Sequence, residues 1–103
     1  MSKRVHYKEL PELERMRILE SVVAERIARA RGNVVSFVAA KVLKEAAPRF
    51  GLAVPDTMDY TFFHFDLMDV RVFTVNGSMW KYIGRRRSGH VKVYRVFFAR
   101  VER

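Results

Sequence analysis

Residues 56–75, DTMDYTFFHFDLMDVRVFTV, admit two physical readings, and the fold depends on how they are divided. Read as a helix, the stretch opens on Asp56 as a cap with Asp59 three residues on, and carries an apolar row at Met58, Phe62, Phe65, Met68, Val72 and Val75. Read as strands, YTFFHF and VRVFTV are rich in β-branched and aromatic side chains, and Asn76-Gly77 is the preferred two-residue hairpin turn. The length of the row and the capping signal before it favour a helix to about Met68 or beyond, with the row facing the core.

Upstream, Pro11 stands where helices begin, with Glu12 and Glu14 in the first turn. Leu13, Met16, Leu19, Val23, Ile27 and Ala30 then recur at helical spacing as far as Gly32. This predicts a helix over about 11–31. Asn33 caps a second helix over roughly 34–47, with Val35, Val38, Ala39, Val42, Leu43 and Ala46 as its apolar positions and Pro48 and Gly51 as its stop. Downstream, MWKYIG and HVKVYRVFFARV alternate apolar and polar residues around GRRRSG, which predicts an antiparallel hairpin with Arg85, Arg86 and Arg87 at its tip. Val91, Val93, Phe97, Ala99 and Val101 share one face of the last strand, and Lys92, Tyr94, Val96, Phe98 and Arg100 the other. Neither face is wholly polar, so the strand is packed on both sides or turns one face to a partner subunit.

The chain is 103 residues long and half hydrophobic, enough for a single domain, 1–103, with one core. It has no cysteine, which excludes disulfides, thiolate metal sites and a Cys nucleophile. It has no uncharged 18-residue run and no signal-peptide pattern, so no membrane contact is expected and an intracellular location, cytoplasmic or nucleoid-associated, is. Glutamine is absent, asparagine occurs only at Asn33 and Asn76, and arginine outnumbers lysine 14 to 6, a composition that points to a thermophilic source.

The formal charge is +9, and it is uneven: residues 71–103 hold nine Lys or Arg against the single acid Glu102, while residues 1–70 hold eleven against ten. A local excess of this kind calls for a polyanionic partner, nucleic acid before a membrane surface, unless the protein is simply soluble and basic.

In its order of helix, helix, a turn containing FGLAV, a third helix and a hairpin with a basic tip, the chain resembles the winged helix-turn-helix family of DNA-binding domains. APRFGLAV (47–54) is similar to the family's turn. VRVFTVNGSMWK (70–81) looks like the end of a recognition helix running into the first wing strand, and GRRRSGHVKVYRV (84–96) like a wing and its return strand. The resemblance implies an α+β fold with a three-helix core and a C-terminal antiparallel β-hairpin wing. It also implies a non-enzymatic protein that binds double-stranded DNA as a transcriptional regulator or architectural factor. The alternative architecture is two helices packed on a four-stranded antiparallel sheet, serving as an RNA-binding or protein-assembly module. The recognition helix of the first arrangement holds Asp56, Asp59, Asp66 and Asp69 and no cation before Arg71. To enter a groove, its acids must point elsewhere, cap helices or pair with arginine.

The candidate nucleic-acid contacts follow. Arg85, Arg86 and Arg87, with Lys81, Lys92 and Arg95 on the hairpin arms, place six cations within fifteen positions and no acid among them. Arginine suits phosphate because its planar fork donates in pairs; the competing reading is a solvated turn that blocks edge-to-edge aggregation. Ser88 and His90 can add hydrogen bonds beside the wing, and Tyr60, Thr61, His64 and Arg71 are the third-helix side chains left to meet DNA. Trp80, Tyr82, Tyr94 and Phe98 interleave with the cations, as a stacking platform would, though packing of the sheet onto the helices is the stronger expectation. His64, Asp66 and Asp69 in HFDLMD suggest a metal-dependent nuclease cluster, but no single conformation brings the three together. No metal, cofactor or small-molecule ligand is therefore expected, and the long first helix is a candidate homodimer surface.

Overall fold

Both readings of residues 56–75 hold, each over its own part. The Asp56 carboxylate accepts from the Met58 and Asp59 amides, and Asp59 accepts in return from the Asp56 amide, closing a capping box. The helix started there ends at Asp69, and the β-branched run beyond it forms a strand turned at Asn76-Gly77, whose φ values of 51° and 80° are those a two-residue hairpin loop needs.

The computed structural model describes residues 4–70, 72–89 (Ser88 by its backbone alone) and 93–101. The elements are α1 (Glu12–Ala28), β1 (Val34–Val38), α2 (Ala39–Ala46), α3 (Thr57–Asp69), β2 (Val72–Val75), β3 (Ser78–Ser88) and β4 (Val93–Arg100). The strands form one antiparallel sheet in the order β1-β4-β3-β2, and the fold is α+β, with helices packed on an antiparallel sheet. Among the described residues, no helix is long and apolar enough to cross a membrane.

Two expectations are corrected. Residues 34–38 do not begin the second helix; they form β1, an edge strand paired with β4 from Val34↔Ala99 to Val38↔Arg95. Val34, Val35, Phe37 and Val38 are β-branched or aromatic and fit a pleated surface, whereas the Ala-Ala-Lys-Val-Leu-Lys-Glu-Ala run that follows is rich in strong helix formers. The chain therefore changes state at the Val38–Ala39 junction. Pro48 then lies in a 3-10 turn over Ala47–Phe50, closed by Gly51 in the left-handed region at φ 68°.

The second correction concerns α3. Met58, Phe62 and Phe65 face outward, and the helix buries Asp59, Phe63, His64, Asp66 and Leu67 instead. The buried acids have fixed partners. Tyr7 Oη and Arg15 Nε donate to Asp66 Oδ2 at 2.6 and 3.0 Å. Burial and the Asp66 carboxylate push the Tyr7 hydroxyl far up, so it stays a donor, and its ring meets Phe63 edge-on at 5.4 Å. Asp59 accepts from the Lys8 amide and from His6 Nδ1 at 2.9 and 2.7 Å, tying the N-terminal segment onto α3.

The core is one cluster: Ile18, Leu19, Val22, Val23 and Ile27 from α1, Val42, Leu43 and Ala46 from α2, Phe63 and Leu67 from α3, and Phe37, Phe73, Trp80, Val96 and Phe98 from the sheet. Strand alternation puts these sheet residues on one face. On the other, Val34, Ser36, Val72, Thr74, Met79, Lys81, Arg86, Arg95, Phe97 and Ala99 are all exposed or half-exposed. The mixed last strand is thus packed on helices through Val96 and Phe98 and open through Arg95 and Phe97.

Candidate nucleic-acid interface

The hairpin that carries the arginine triplet is longer than the sequence pattern implies. β3 continues through Arg85, Arg86 and Arg87 to Ser88 and pairs residue by residue with β4, so the triplet lies within a strand and not at a tip. A bulge sets its orientation. Tyr82 faces Phe98 and Gly84 faces Phe97, leaving Ile83 as the extra residue, with Gly84 at φ 146°. Plain alternation from buried Trp80 would put Arg86 on the helix side; the bulge reverses this. Arg85 and Arg87, opposite Val96 and Tyr94, lie on the helix side, and Arg86, opposite Arg95, on the open side.

Aromatic rings hold the guanidinium groups in place. Arg85 lies over the Tyr94 ring at 5.3 Å and donates to Met68 Sδ at 3.1 Å, which fixes the hairpin base against the end of α3. Arg86 lies over Phe97 at 5.9 Å, and Arg100 over Trp80 at 5.2 Å. Arg95 donates to Ser36 Oγ at 3.2 Å. The four strands together contain Lys81, Arg85, Arg86, Arg87, Arg95 and Arg100 and no acid. None of these cations forms an ion pair with a described carboxylate; the ion pairs join residues outside the sheet, such as Arg15 with Asp66 and Lys8 with Asp56.

The expected third-helix contacts are placed differently. Thr61 is exposed, its hydroxyl donating to the Thr57 carbonyl at 2.9 Å, while Tyr60 is half-buried against the core, where burial and the nearby Asp59 raise its hydroxyl. His64 is buried and stacks on Tyr94 with ring centroids 4.6 Å apart. Its Nδ1 is enclosed without a hydrogen-bond partner among the described residues, and burial, with Arg85 adding to it, holds its pKa below the ordinary value. Arg71, His90 and Lys92 and the Ser88 side chain lie outside the described residues. Of the four acids that opposed groove entry, Asp59 and Asp66 are buried and Asp56 is exposed but partnered, while Asp69 is exposed. Asp56 and Asp59 cap α3, Asp66 pairs with Arg15, and Lys8 holds Asp56 well below the usual carboxylate range, at about 2.

The HFDLMD residues are not brought together: Asp66 points to Tyr7 and Arg15, His64 to the hairpin, and Asp69 is exposed. The structure does gather His6, Asp56 and Asp59, whose ligand atoms lie within 4.8 Å of one another. This grouping was not legible, because it joins residues some fifty positions apart; its oxygens are already taken by two amides of α3, the Lys8 amide and the Lys8 ammonium. Trp80 and Phe98 are buried in the core and Tyr82 packs against it, so among the ring residues Phe97, missed in the sequence, is the one on the open face beside Arg86. Compared with known proteins, the chain matches no family model, no curated protein and no solved structure.

Proposed function

We propose that this chain is a non-enzymatic double-stranded DNA-binding protein that grips phosphates with the β3–β4 hairpin, acting inside the cell at the nucleoid as an architectural factor or transcriptional regulator of the winged-helix kind. The observation that carries the reading is the sheet's charge: six cations, no acid, and no ion pair to a described carboxylate. The order of three helices followed by a basic hairpin supports it, with β1 as an addition to the expected order. A two-stranded ribbon fits the major groove of a duplex, and cations on both faces of this one, Arg85 and Arg87 against Arg86 and Arg95, reach phosphates to either side. The exposed surface of α3 offers Thr61 but no described cation, so binding is through the backbone and tolerant of sequence.

Four neutralised phosphates give a slope of about −3.6 in the logarithm of duplex affinity against the logarithm of salt. Replacing Arg85, Arg86 and Arg87 with Ala removes about three quarters of that slope; a slope that stays put takes the hairpin out of the mechanism. The uncovered sheet face, with Phe97 beneath Arg86, favours a second reading as an RNA or single-strand binder. Titrating duplex, single strand and structured RNA at two salt concentrations decides between them, since the first reading requires the duplex to bind tightest.

A further inference from the structure

β2 ends the sheet, and the hairpin that holds it fixes which of its main-chain groups are free. Across the two-residue loop at Asn76-Gly77, Val75 and Ser78 exchange both of their hydrogen bonds. Phe73 and Trp80 form the next bonded pair, so Val72 and Thr74 point their N–H and C=O groups away from β3. The bond from the Val101 amide to the Met79 carbonyl agrees, because it turns Met79, the partner of Thr74, toward β4. Among the described residues nothing bonds to these outer groups. Nor is the edge protected: Val-Phe-Thr-Val carries no charge, no proline and no bulge. A groove of about 610 Å³ runs along it, with all four residues of β2 on one side and Arg17, Glu20, Ser21 and Ala24 of α1 on the other. That volume falls within the roughly 300–1,000 Å³ of ligand sites.

We propose that the free edge of β2 binds an extended, acidic peptide segment of another protein, which joins the sheet as a fifth, antiparallel strand in the groove beside α1. Main-chain chemistry selects an extended chain, since a strand presents donors and acceptors at the two-residue spacing of Val72 and Thr74. Register then assigns its side chains. Phe73 and Val75 are buried toward the helices, whereas Val72 and Thr74 lie on the open face. The peptide residues opposite Val72 and Thr74 therefore stand on the open face, and the one between them, opposite Phe73, enters the groove beside Ser21 and Ala24. Arg17 and Glu20 give the α1 wall one charge of each sign, with no ion pair among the described residues, so the groove takes a neutral, β-branched side chain. The open face sets the sign of the other two: Lys81 stands directly across from Val72, and the four strands hold six cations and no acid. A second copy of this chain suits the edge less well, because its own β2 offers no carboxylate and it brings a further net charge of +9. The site uses neither α3 nor the arginine triplet and does not depend on DNA binding.

The probe is the peptide acetyl-Glu-Thr-Glu-Val-Glu-Thr-Glu-amide carrying a fluorophore, titrated against the full chain by anisotropy up to about 1 mM, a range that covers weak peptide binding. Saturable binding is expected, with slower hydrogen exchange at the Val72 and Thr74 amides. Thr74→Pro removes an outward N–H that the β2–β3 ladder does not use, so the variant is expected to keep its circular dichroism spectrum and to bind the peptide about tenfold more weakly or worse. A second measurement needs no variant of the protein: N-methylation of the two Glu residues flanking Val removes the strand's own donors and is expected to weaken binding to the wild-type chain to the same extent. Absence of saturable binding overturns the proposal. So does equal affinity for a peptide of the same composition with its glutamates in one run, or binding that survives either N-methylation or a folded Thr74→Pro, since each means that the acids merely adhere to the arginines. A wild-type dimer that Thr74→Pro makes monomeric overturns it as well, by giving the edge to a second copy.

Discussion

Arg86 stands directly across from Arg95 in the β3–β4 pair, on the uncovered side of the sheet, and no acid shares the four strands with them. Opposed like charges destabilise a sheet, by roughly 0.2–1 kcal/mol for a direct cross-strand pair. A bound anion relieves that repulsion. Arg95→Thr is therefore expected to raise the melting temperature of the free protein at low salt, an advantage that fades as salt screens the pair. The same substitution reduces the salt slope of duplex binding by about 0.9. A variant that is less stable at low salt and binds with an unchanged slope contradicts both halves.

Asp66 is the buried junction of three elements, accepting from Tyr7 ahead of α1 and from Arg15 on α1 while itself on α3. Asp66→Ala leaves a tyrosine hydroxyl and a largely buried guanidinium without their acceptor, at a cost of about 3–5 kcal/mol. Asp66→Asn keeps one acceptor oxygen and is expected to lose less. Urea unfolding measures both, and a loss under about 1 kcal/mol for the alanine variant contradicts the assigned role.

His64 makes stability depend on pH in a definite direction. Burial, with Arg85 beside it, holds the folded-state imidazole below its ordinary pKa. Below about pH 6.5 the unfolded chain takes up a proton that the native state refuses, so the unfolded state gains and stability falls as acid is added. Above that value the contribution is fully present. His64→Phe keeps a ring against Tyr94 and cannot titrate, so the melting temperature of the variant relative to wild type is expected to improve from about pH 8 to about pH 5. The other histidines are common to both proteins and cancel. An offset that is the same at both pH values means that His64 accepts a proton as readily folded as unfolded.

Much of this fold was legible, and the exceptions share a cause. The capping box at Asp56 and Asp59, the Asn76-Gly77 turn and the stop at Pro48 and Gly51 are local signals, each set by a few neighbouring residues, and each stands where the pattern put it; the hairpin from Met79 onward forms too, but its paired strands run on through Arg85, Arg86 and Arg87, which the pattern put at the tip. β1 was hidden because Val35, Val38, Val42 and Ala46 keep helical spacing across a junction where the chain changes state, and only pairing with β4, some sixty positions away, decides it. The face of α3 was misread for a related reason: hydropathy expects acids outside, and the partners that admit Asp59 and Asp66 to the interior, His6, Tyr7, Lys8 and Arg15, come from far upstream. At the candidate interface, the cations were legible as a cluster. Their division between two faces was not, because it depends on the single extra residue at Ile83.

That bulge yields the last prediction. Gly84 has φ 146°, a conformation that L side chains rarely adopt, yet a Cβ there would meet no atom within 4 Å. Any penalty for Gly84→Ala is therefore backbone strain alone, about 1–3 kcal/mol, rather than a clash that neighbours could relieve. The strain is local to the hairpin, and relaxing it means shifting the β3 register, which would turn Arg86 from the open face to the helix face. Gly84→Ala is expected to lower stability by that amount and to weaken the cross-strand NMR contacts between residues 86 and 95, while Ile83→Ala, at an exposed position, stays within about 0.5 kcal/mol of wild type. If Gly84→Ala is neutral and the contacts persist, the bulge does not require glycine, and the face assigned to each arginine must be fixed by the ring stacking of Tyr94 and Phe97 instead.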